Sequence, residues 1–224
     1  MGKFKDVARL VYAPIMNKAF DIFYGPKRYK YLYRTIREVK AKNIMEVGTF
    51  HGSRAKSMIE TAKLYSDPKT VAYYGFDLFE EMTNELYFDE LSKRSKTRQE
   101  IESMLAETGV DIHLFKGNTM QSLPENVSKL PNMDFIYIDG GHSLETVEND
   151  WKYSEMLMHD RTVVIFDDYW PNRPQDGGSK QLIDALDRSK YSVEVLPILD
   201  SFDNPDLGKL DIQFAKVTRN LTSK

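Results

Sequence analysis

The stretch FIYIDGGHSLETVENDW, residues 135–151, places a hydrophobic strand, two glycines and a helical pattern in direct succession. The strand ends at Asp139, and His142 lies between the glycine pair and the predicted helix. A plain turn requires the glycines, but it requires neither the acid nor the imidazole. The reason for Asp139 and His142 therefore depends on which residues follow the other strands.

The same alternation of strand and helix extends along most of the chain. Continuous apolar runs predict strands at 43–48, 71–77, 111–117, 133–139 and 162–168, followed by a terminal pair at 191–198 and 211–217. Helical spacing predicts helices at 4–23, 27–40, 52–66, 83–108, 119–129, 143–158 and 178–188. The order of these elements predicts an α/β fold, with a Rossmann-like, doubly wound and mostly parallel seven-stranded sheet, a C-terminal antiparallel strand pair and an N-terminal helical extension.

Charge divides the chain into two regions. Residues 1–42 carry a net charge of +8, whereas the remainder carries −11. We interpret 1–42 as a basic helical extension that caps a substrate or forms an interface, and 43–224 as the domain that carries the activity. A solvated helix face is the simpler interpretation of the same basic residues.

The composition excludes several classes of function. The 224 residues contain no cysteine, which excludes disulfides, thiolate chemistry and cysteine-based zinc sites and is typical of a reducing cytoplasm. No charge-free run exceeds eight residues, so no stretch approaches a membrane span of about 20 apolar residues. The sequence carries no recognised nucleic-acid-binding motif. We therefore expect a cytoplasmic protein that neither spans a membrane nor binds nucleic acid.

The residues that end the first two strands favour a nucleoside ligand. Ligands of doubly wound sheets bind beyond the carboxyl ends of the strands. The first strand leads into a loop with Glu46, Gly48 and Gly52, whose glycines permit a tight turn and close approach of the backbone to a ligand. This loop is neither a G-x-G-x-x-G motif nor a P-loop, which disfavours phosphate binding. The second strand ends at Asp77, which is placed to accept hydrogen bonds from a ribose diol or to cap a turn.

These motifs resemble a known family. E-x-G-x-x-x-G at 46–52, followed by an acid after the second strand, resembles the class I S-adenosylmethionine-dependent methyltransferases, and its glycine spacing is similar to catechol O-methyltransferase. VAYYGFDLFEEM at 71–82 and VVIFDDYW at 163–170 resemble more narrowly the macrocin and mycinamicin sugar O-methyltransferases. The resemblance covers residues from about 43 to 188 and implies that 43–224 is a methyltransferase domain.

The resemblance also implies a set of cofactor-binding residues. The first loop would hold the methionine part of S-adenosylmethionine, the acid after the second strand would bind the ribose, and the third strand would lead to the adenine. The implied residues are Glu46, Gly48, Phe50, Gly52, Ser53, Asp77, Asn118, Thr119 and Asp139. The sequence departs from the catechol-type pattern at Arg54, where those enzymes carry serine.

Three carboxylates are expected to converge at neighbouring strand ends, which would explain the opening motif. Asp139 closes the fourth strand, and Asp167 and Asp168 close the fifth. Like charges so close together raise one another's pKa and normally require a cation. All-oxygen ligands select Mg²⁺ or another hard divalent cation, such as Ca²⁺ or Mn²⁺. The resemblance implies that these acids hold Mg²⁺ and that His142 is the general base, with Asp139 as the second catalytic residue.

We therefore expect a Mg²⁺-dependent O-methyltransferase that acts on a hydroxyl of a small molecule. The expected acceptor is a sugar or glycoside, with or without an anionic group. The Pro- and Gly-rich stretch 171–178 is expected to be a substrate loop, and the protein is expected to be a homo-oligomer. Two alternatives remain open: a metal-independent N- or C-methyltransferase, and an S-adenosylmethionine-binding subunit without catalysis.

Overall fold

The strands form a twisted sheet in which the first five are parallel. The computed structural model describes residues 26–90, 94–173, 175, 177–197, 199–204 and 208–220. The strands are β1 (Asn43–Val47), β2 (Ala72–Asp77), β3 (Asp111–Lys116), β4 (Met133–Ile138), β5 (Met158–Tyr169), β6 (Tyr191–Val195), β7 (Asp200–Asn204) and β8 (Gly208–Arg219). The helices are α1 (Lys30–Val39), α2 (Ser53–Lys63), α3 (Asn84–Asp89), α4 (Arg98–Ala106), α5 (Thr119–Asn126), α6 (Leu144–Met156) and α7 (Lys180–Ala185). The helix predicted at 4–23 lies outside the described residues.

The sheet confirms the predicted fold class and adds one strand to it. Its order is β3-β2-β1-β4-β5-β8-β6, with β8 antiparallel to both β5 and β6. The predicted terminal antiparallel pair is therefore confirmed as β6 and β8. The additional strand is β7, which lies outside this order and pairs with β8. Their pairing extends from Asp200 opposite Ile212 to Asn204 opposite Gly208. Its sequence DSFDN lacks the continuous apolar run that identified the other strands, so the sequence predicted seven strands.

Helices cover both faces of the sheet, which explains the continuous apolar runs of its central strands. On one face, Val47, Ile138 and Phe166 pack with Trp151 of α6. On the other face, the core contains fully buried residues of α1, α2, β1, β4 and β5: Leu32, Ile36, Met58, Ile44, Phe135 and Ile165. Helix α1, within the predicted N-terminal extension, is thus part of the main hydrophobic core.

The fifth strand is irregular where it reaches the predicted acids. Phe166 pairs with Ala215 of β8, but Tyr169 pairs with Gln213, so β5 contains one more residue than its partner over this interval. Asp168 has a φ of 54°, a left-handed conformation that aspartate tolerates better than most residues. Such a bulge re-aims side chains next to a site, and here it turns Asp167 and Asp168 toward the same edge of the sheet.

The described part of the chain contains no helix that is both long and apolar enough to cross a membrane.

Candidate active site

A cavity of about 600 Å³ lies at the carboxyl ends of the parallel strands. All twelve residues predicted for the site line this cavity: Glu46, Gly48, Phe50, Gly52, Ser53, Asp77, Asn118, Thr119, Asp139, His142, Asp167 and Asp168. They come from the ends of five strands, which the parallel topology brings to one edge of the sheet. The structure thus brings the whole predicted set together, while their individual roles remain predictions.

The glycines of the first loop are required by packing. Gly48 has a φ of 92°, and a Cβ there would lie 1.8 Å from the carbonyl oxygen of Asp139. Gly52 has a φ of 72°, and its Cβ would lie 2.5 Å from Cε of Met104 on α4. The loop can therefore follow this path only because β1 approaches β4, and α2 approaches α4, without intervening side chains.

Asp77 fixes the same loop from the neighbouring strand. Its Oδ2 accepts a hydrogen bond from the backbone N–H of Phe50 at 2.7 Å, and its Oδ1 accepts one from the N–H of Phe79 at 2.7 Å. Burial raises the pKa of Asp77, and these hydrogen bonds oppose that shift. Because each carboxylate oxygen has a second lone pair, Asp77 can still accept hydrogen bonds from a ligand in the cavity.

Glu46 lies deeper, at the base of the first loop. Its carboxylate is buried and accepts a hydrogen bond from the hydroxyl of Tyr73, which also lies 3.3 Å from Oγ1 of Thr49. Burial raises the pKa of Glu46 to about 8. The carboxyl group is therefore mainly protonated at neutral pH and can donate as well as accept a hydrogen bond.

Asn118 and Ser53 stand at the starts of two helices beside the cavity. The side chain of Asn118 caps α5 by accepting a hydrogen bond from the N–H of Met120 at 2.9 Å. Ser53 is the first residue of α2. Both helix N-termini lie beside the cavity, and the positive end of a helix dipole favours partial negative charge nearby.

The three acids meet as predicted. Asp139, Asp167 and Asp168 each offer one carboxylate oxygen, and these three atoms lie within 4.8 Å of one another. Burial, followed by the charge of Asp167, raises the pKa of Asp139 to about 7. The charge of Asp167 thus contributes to the predicted rise for Asp139, whereas the charge of His142 outweighs burial and lowers the pKa of Asp168.

Asp167 is paired with Arg28, which sequence reasoning did not assign to the site. Nε of Arg28 donates to Oδ1 of Asp167 at 2.8 Å, and Nη2 donates to Oδ2 at 3.1 Å, with both side chains at most 5% exposed. Asp200 on β7 holds this arginine in place by accepting from the backbone N–H of Lys27 at 3.1 Å and of Arg28 at 3.0 Å. The turn before α1 is thereby joined to the β7–β8 hairpin and to the acid cluster.

Asp139 is paired with Arg54, at the position where the sequence departs from the catechol-type pattern. Nη1 of Arg54 donates to Oδ2 of Asp139 at 3.0 Å, and the guanidinium lies 3.9 Å from the ring centre of Tyr29. The hydroxyl of Tyr137 lies 2.9 Å from Asp139 and 2.7 Å from Asp167, and so joins the two carboxylates. Two arginines thus balance two of the three acids.

His142 is paired with the third acid. Its Nε2 lies 2.7 Å from Oδ2 of Asp168, and its Nδ1 lies 2.5 Å from the backbone carbonyl oxygen of Glu90. Burial lowers the pKa of His142, but the charge and hydrogen bond of Asp168 outweigh it and raise the pKa to about 9. Both ring nitrogens face acceptors, so the imidazole is a protonated double donor at neutral pH in this arrangement.

The described end of the predicted substrate loop forms hydrogen bonds to the protein backbone at the site. Gly178 donates its N–H to the carbonyl of His142 at 2.8 Å, and Ser179 donates its N–H to the carbonyl of Asp168 at 2.9 Å. A Cβ on Gly178 would lie 2.3 Å from that same Asp168 oxygen. Residues 178 and 179 therefore stabilise the backbone of His142 and Asp168 through hydrogen bonds. A substrate contact of 171–178 remains a prediction.

Comparison with known proteins identifies the family. A family model described as Methyltransferase domain matches residues 45–169, which is more than half of the chain. The chain belongs to this methyltransferase family. No curated protein matches the chain.

Solved structures place this methyltransferase domain in the same fold. An O-methyltransferase from Bacillus cereus in complex with SAH is 17% identical, with a TM-score of 0.60, over 94% of this chain and 90% of that chain. The O-methyltransferase TomG from Streptomyces achromogenes, involved in tomaymycin synthesis and solved with SAM, is 17% identical, with a TM-score of 0.57, over 94% of this chain and 89% of that chain. At this identity, the likeness concerns the fold.

The methyltransferase cavity has a second wall, formed by aromatic and aliphatic side chains. Trp170 follows the acid pair, packs with Leu210 and Ile212 of β8, and donates its indole N–H to Oδ1 of Asp168 at 3.1 Å. Tyr29 and Phe202 line the same side. The wall depends on the turn before α1 and on the β7–β8 hairpin, two features without a motif in the sequence.

Proposed function

We propose that this methyltransferase transfers the methyl group of S-adenosylmethionine to a hydroxyl of a small molecule. The observation that carries the proposal is the placement of His142 and three carboxylates in the same cavity as the glycine loop and Asp77. In this proposal, a nucleoside-binding half and a proton-transfer half would share one cavity. The B. cereus and S. achromogenes structures, solved with SAH and SAM, support the choice of cofactor.

Different residues of the chain would bind different parts of the cofactor. The first loop and the start of α2 would bind the methionine part, Asp77 would accept hydrogen bonds from the ribose hydroxyls, and Asn118 and Thr119 would border the adenine. The carboxyl group of Glu46, at the base of the first loop, would form a hydrogen bond to the cofactor in its neutral form. These roles agree with the class I resemblance.

The acceptor would lie against the second wall, beside His142. Aromatic rings such as Trp170 and Tyr29 provide flat apolar surfaces, and the carboxylates provide hydrogen-bond acceptors for hydroxyl groups. A sugar ring or glycoside offers both kinds of surface, because its C–H face is apolar and its edge carries hydroxyls. We therefore propose a sugar or glycoside acceptor.

A divalent cation is the second part of the proposal. Three carboxylate oxygens within 4.8 Å of one another form the hard donor set that Mg²⁺ prefers, so the residues fit the ion. When bound, the ion would lower the pKa of the acceptor hydroxyl and balance the carboxylate charge. Because each carboxylate is also paired with a protein cation, the ion would compete with these side chains for the same oxygens.

His142 would accept the hydroxyl proton at Nε2. As the sulfonium C–S bond breaks and the new C–O bond forms, the hydroxyl proton would pass to the imidazole. While Asp168 accepts a hydrogen bond from Nε2, both ring nitrogens of His142 carry a proton at neutral pH. Asp168 must therefore release His142 before the imidazole can act as a base. Asp139, whose pKa is raised to about 7, is the second candidate base.

A metal-independent methyltransferase is the alternative that one observation favours. Arg28 and Arg54 supply the positive charge that a buried carboxylate cluster requires. A nitrogen acceptor or an activated carbon acceptor would need less help in deprotonation than a hydroxyl. Chelation separates the two proposals, because only the first loses activity when the divalent ion is removed.

A panel of glycosides, catechols and nucleotide sugars tests the function. With S-adenosylmethionine and Mg²⁺, we expect methylation of a glycoside hydroxyl, and we expect turnover to fall at least about tenfold with EDTA, because the ion supplies several kcal/mol of charge stabilisation. Methylation that is unaffected by EDTA would support the metal-independent alternative. Cofactor binding without transfer to any acceptor would indicate a non-catalytic subunit.

Cofactor binding should depend on Asp77. We expect Asp77→Ala to weaken the affinity for S-adenosylhomocysteine by about 1–3 kcal/mol, because the ribose hydroxyls lose an acceptor and the loop loses its contact with Phe50. Isothermal titration calorimetry measures the change. Asp111→Ala is the control, since Asp111 is an exposed acid at the amino end of β3. Equal affinities of Asp77→Ala and the wild type would exclude Asp77 from the cofactor site.

A further inference from the structure

Glu90 makes an unusual number of hydrogen bonds to the start of α6. Its Oε2 accepts from the backbone N–H groups of His142 and Ser143, both at 2.8 Å. Its Oε1 accepts from Oγ of Ser143 at 2.8 Å and from Oγ1 of Thr146 at 2.7 Å. A carboxylate from a segment about 50 residues away thus caps the helix that follows the DGGH turn.

The backbone of Glu90 also contacts the imidazole itself. Its carbonyl oxygen lies 2.5 Å from Nδ1 of His142, so Nδ1 carries the proton and Nε2 is directed to the other side of the ring. Gly141 is needed for this approach, because a Cβ there would lie 2.5 Å from Oε2 of Glu90. One residue therefore fixes the backbone and the ring orientation of His142, and it keeps a proton on Nδ1.

We propose that Glu90 is a positioning residue for His142, and this inference rests on the proposed role of His142 as the base. Glu90 directs Nε2 toward Asp168 and the cavity, where a hydroxyl proton has to be accepted. The same segment contributes Met82 and Leu86 to the cavity wall. Glu90 thereby holds this part of the wall and the base in a fixed relation to each other.

The contact requires a side chain with two polar atoms at position 90. Burial raises the pKa of Glu90, but its hydrogen bonds outweigh this effect and lower it, so the carboxylate is charged at neutral pH. Glutamine can satisfy the same partners, because its oxygen can accept from the two backbone N–H groups while its amide donates to the two hydroxyls. Alanine leaves all four donors without this partner.

Nuclear magnetic resonance of ¹⁵N-histidine-labelled protein with S-adenosylhomocysteine tests the position of the His142 ring. This experiment does not require that the methyl acceptor be known. The chain has four histidines, and the spectrum of His142→Ala assigns the signal of interest. In the wild type and in Glu90→Gln, we expect a slowly exchanging Nδ1 proton from His142. In Glu90→Ala we expect this signal to be lost, whereas Glu85→Ala, an exposed acid of the same segment, retains it. Persistence of the signal in Glu90→Ala would overturn the proposal.

A double-mutant cycle tests the effect on turnover, with the panel acceptor that the wild type methylates. We expect Glu90→Ala to lower turnover about 10- to 100-fold, since small displacements of a reacting group have effects of this size, and Glu90→Gln to restore most of it. In the His142→Ala background, the same change should cost no more than about twofold. An equal loss in both backgrounds would contradict a role through His142. If His142→Ala alone leaves turnover unchanged, the proposed base fails, and the resonance experiment still decides whether Glu90 fixes the ring.

Discussion

Replacing His142 with alanine should lower methyl-transfer turnover by about 10²–10⁴-fold, which is the usual contribution of a positioned general base. The affinity for S-adenosylhomocysteine should change little, because the proposed cofactor contacts come from the first loop, Asp77 and Asn118. The measurement is steady-state turnover on the panel acceptor, with calorimetry on the same preparations. His113→Ala is a matched control, since His113 is also paired with an aspartate, Asp111, at 2.9 Å, but does not line the cavity.

The pH dependence of the two proteins distinguishes a base from a packing residue. A base must be neutral to accept a proton, so wild-type turnover should fall as the pH decreases and His142 becomes protonated. Asp168 raises the pKa of His142, and this shift moves the loss of activity to higher pH than for a free imidazole. Wild-type turnover should level off once His142 is neutral, whereas the residual activity of His142→Ala should keep rising with pH as hydroxide replaces the imidazole. Wild-type turnover in His142→Ala would contradict the assignment and leave Asp139 as the candidate base.

The sequence predicted the residues that belong to regular strand ends. Asp77, Asp139 and Asp167 each follow a continuous apolar run, and a parallel sheet brings the ends of such runs to one edge. Local pattern and topology together were therefore sufficient to place them in one cavity. The bulge at Asp168 and its positive φ depend on the pairing of β5 with β8, which no local pattern in β5 reveals.

The residues that balance these acids could not be predicted in the same way. Arg28 meets Asp167 across 139 positions of sequence, and it lies in a basic region that is more simply interpreted as a solvated helix face. Glu90 lies in a charged segment where no spacing distinguishes it from Glu85. Arg54 was visible in the sequence as a departure from the catechol-type pattern, in which this position is serine. Its partner Asp139, however, became apparent only in the folded chain.

The other large effect concerns stability. Arg28→Met should lower the free energy of unfolding by about 3–5 kcal/mol, the cost of removing one partner of a buried ion pair. The loss has a specific cause: Asp167, with its side chain 1% exposed, would lose its paired cation and both hydrogen bonds to the guanidinium. Urea unfolding measures the change. Arg34→Met, which removes an exposed arginine from the same region, should change the free energy of unfolding by less than about 0.5 kcal/mol.

A second substitution shows whether the buried charge is responsible. In Arg28→Met/Asp167→Asn, the uncompensated carboxylate is gone, so we expect most of the lost stability to return. Equal destabilisation in the single and double variants would mean that Arg28 acts through its packing against Tyr29 and Phe214 instead.

The single variant also tests the proposed cation at the acid cluster. Arg28→Met frees Asp167 from its protein partner, so Mg²⁺ no longer has to compete with the guanidinium for these oxygens. Binding to the folded state stabilises a protein by an amount that grows with the logarithm of the ligand concentration over its dissociation constant. We therefore expect Mg²⁺ to raise the urea midpoint of Arg28→Met more than that of the wild type, and to have no such effect on Arg28→Met/Asp167→Asn. If Mg²⁺ leaves all three midpoints unchanged, the proposed cation fails, and the arginines balance the charge of the acid cluster in its place.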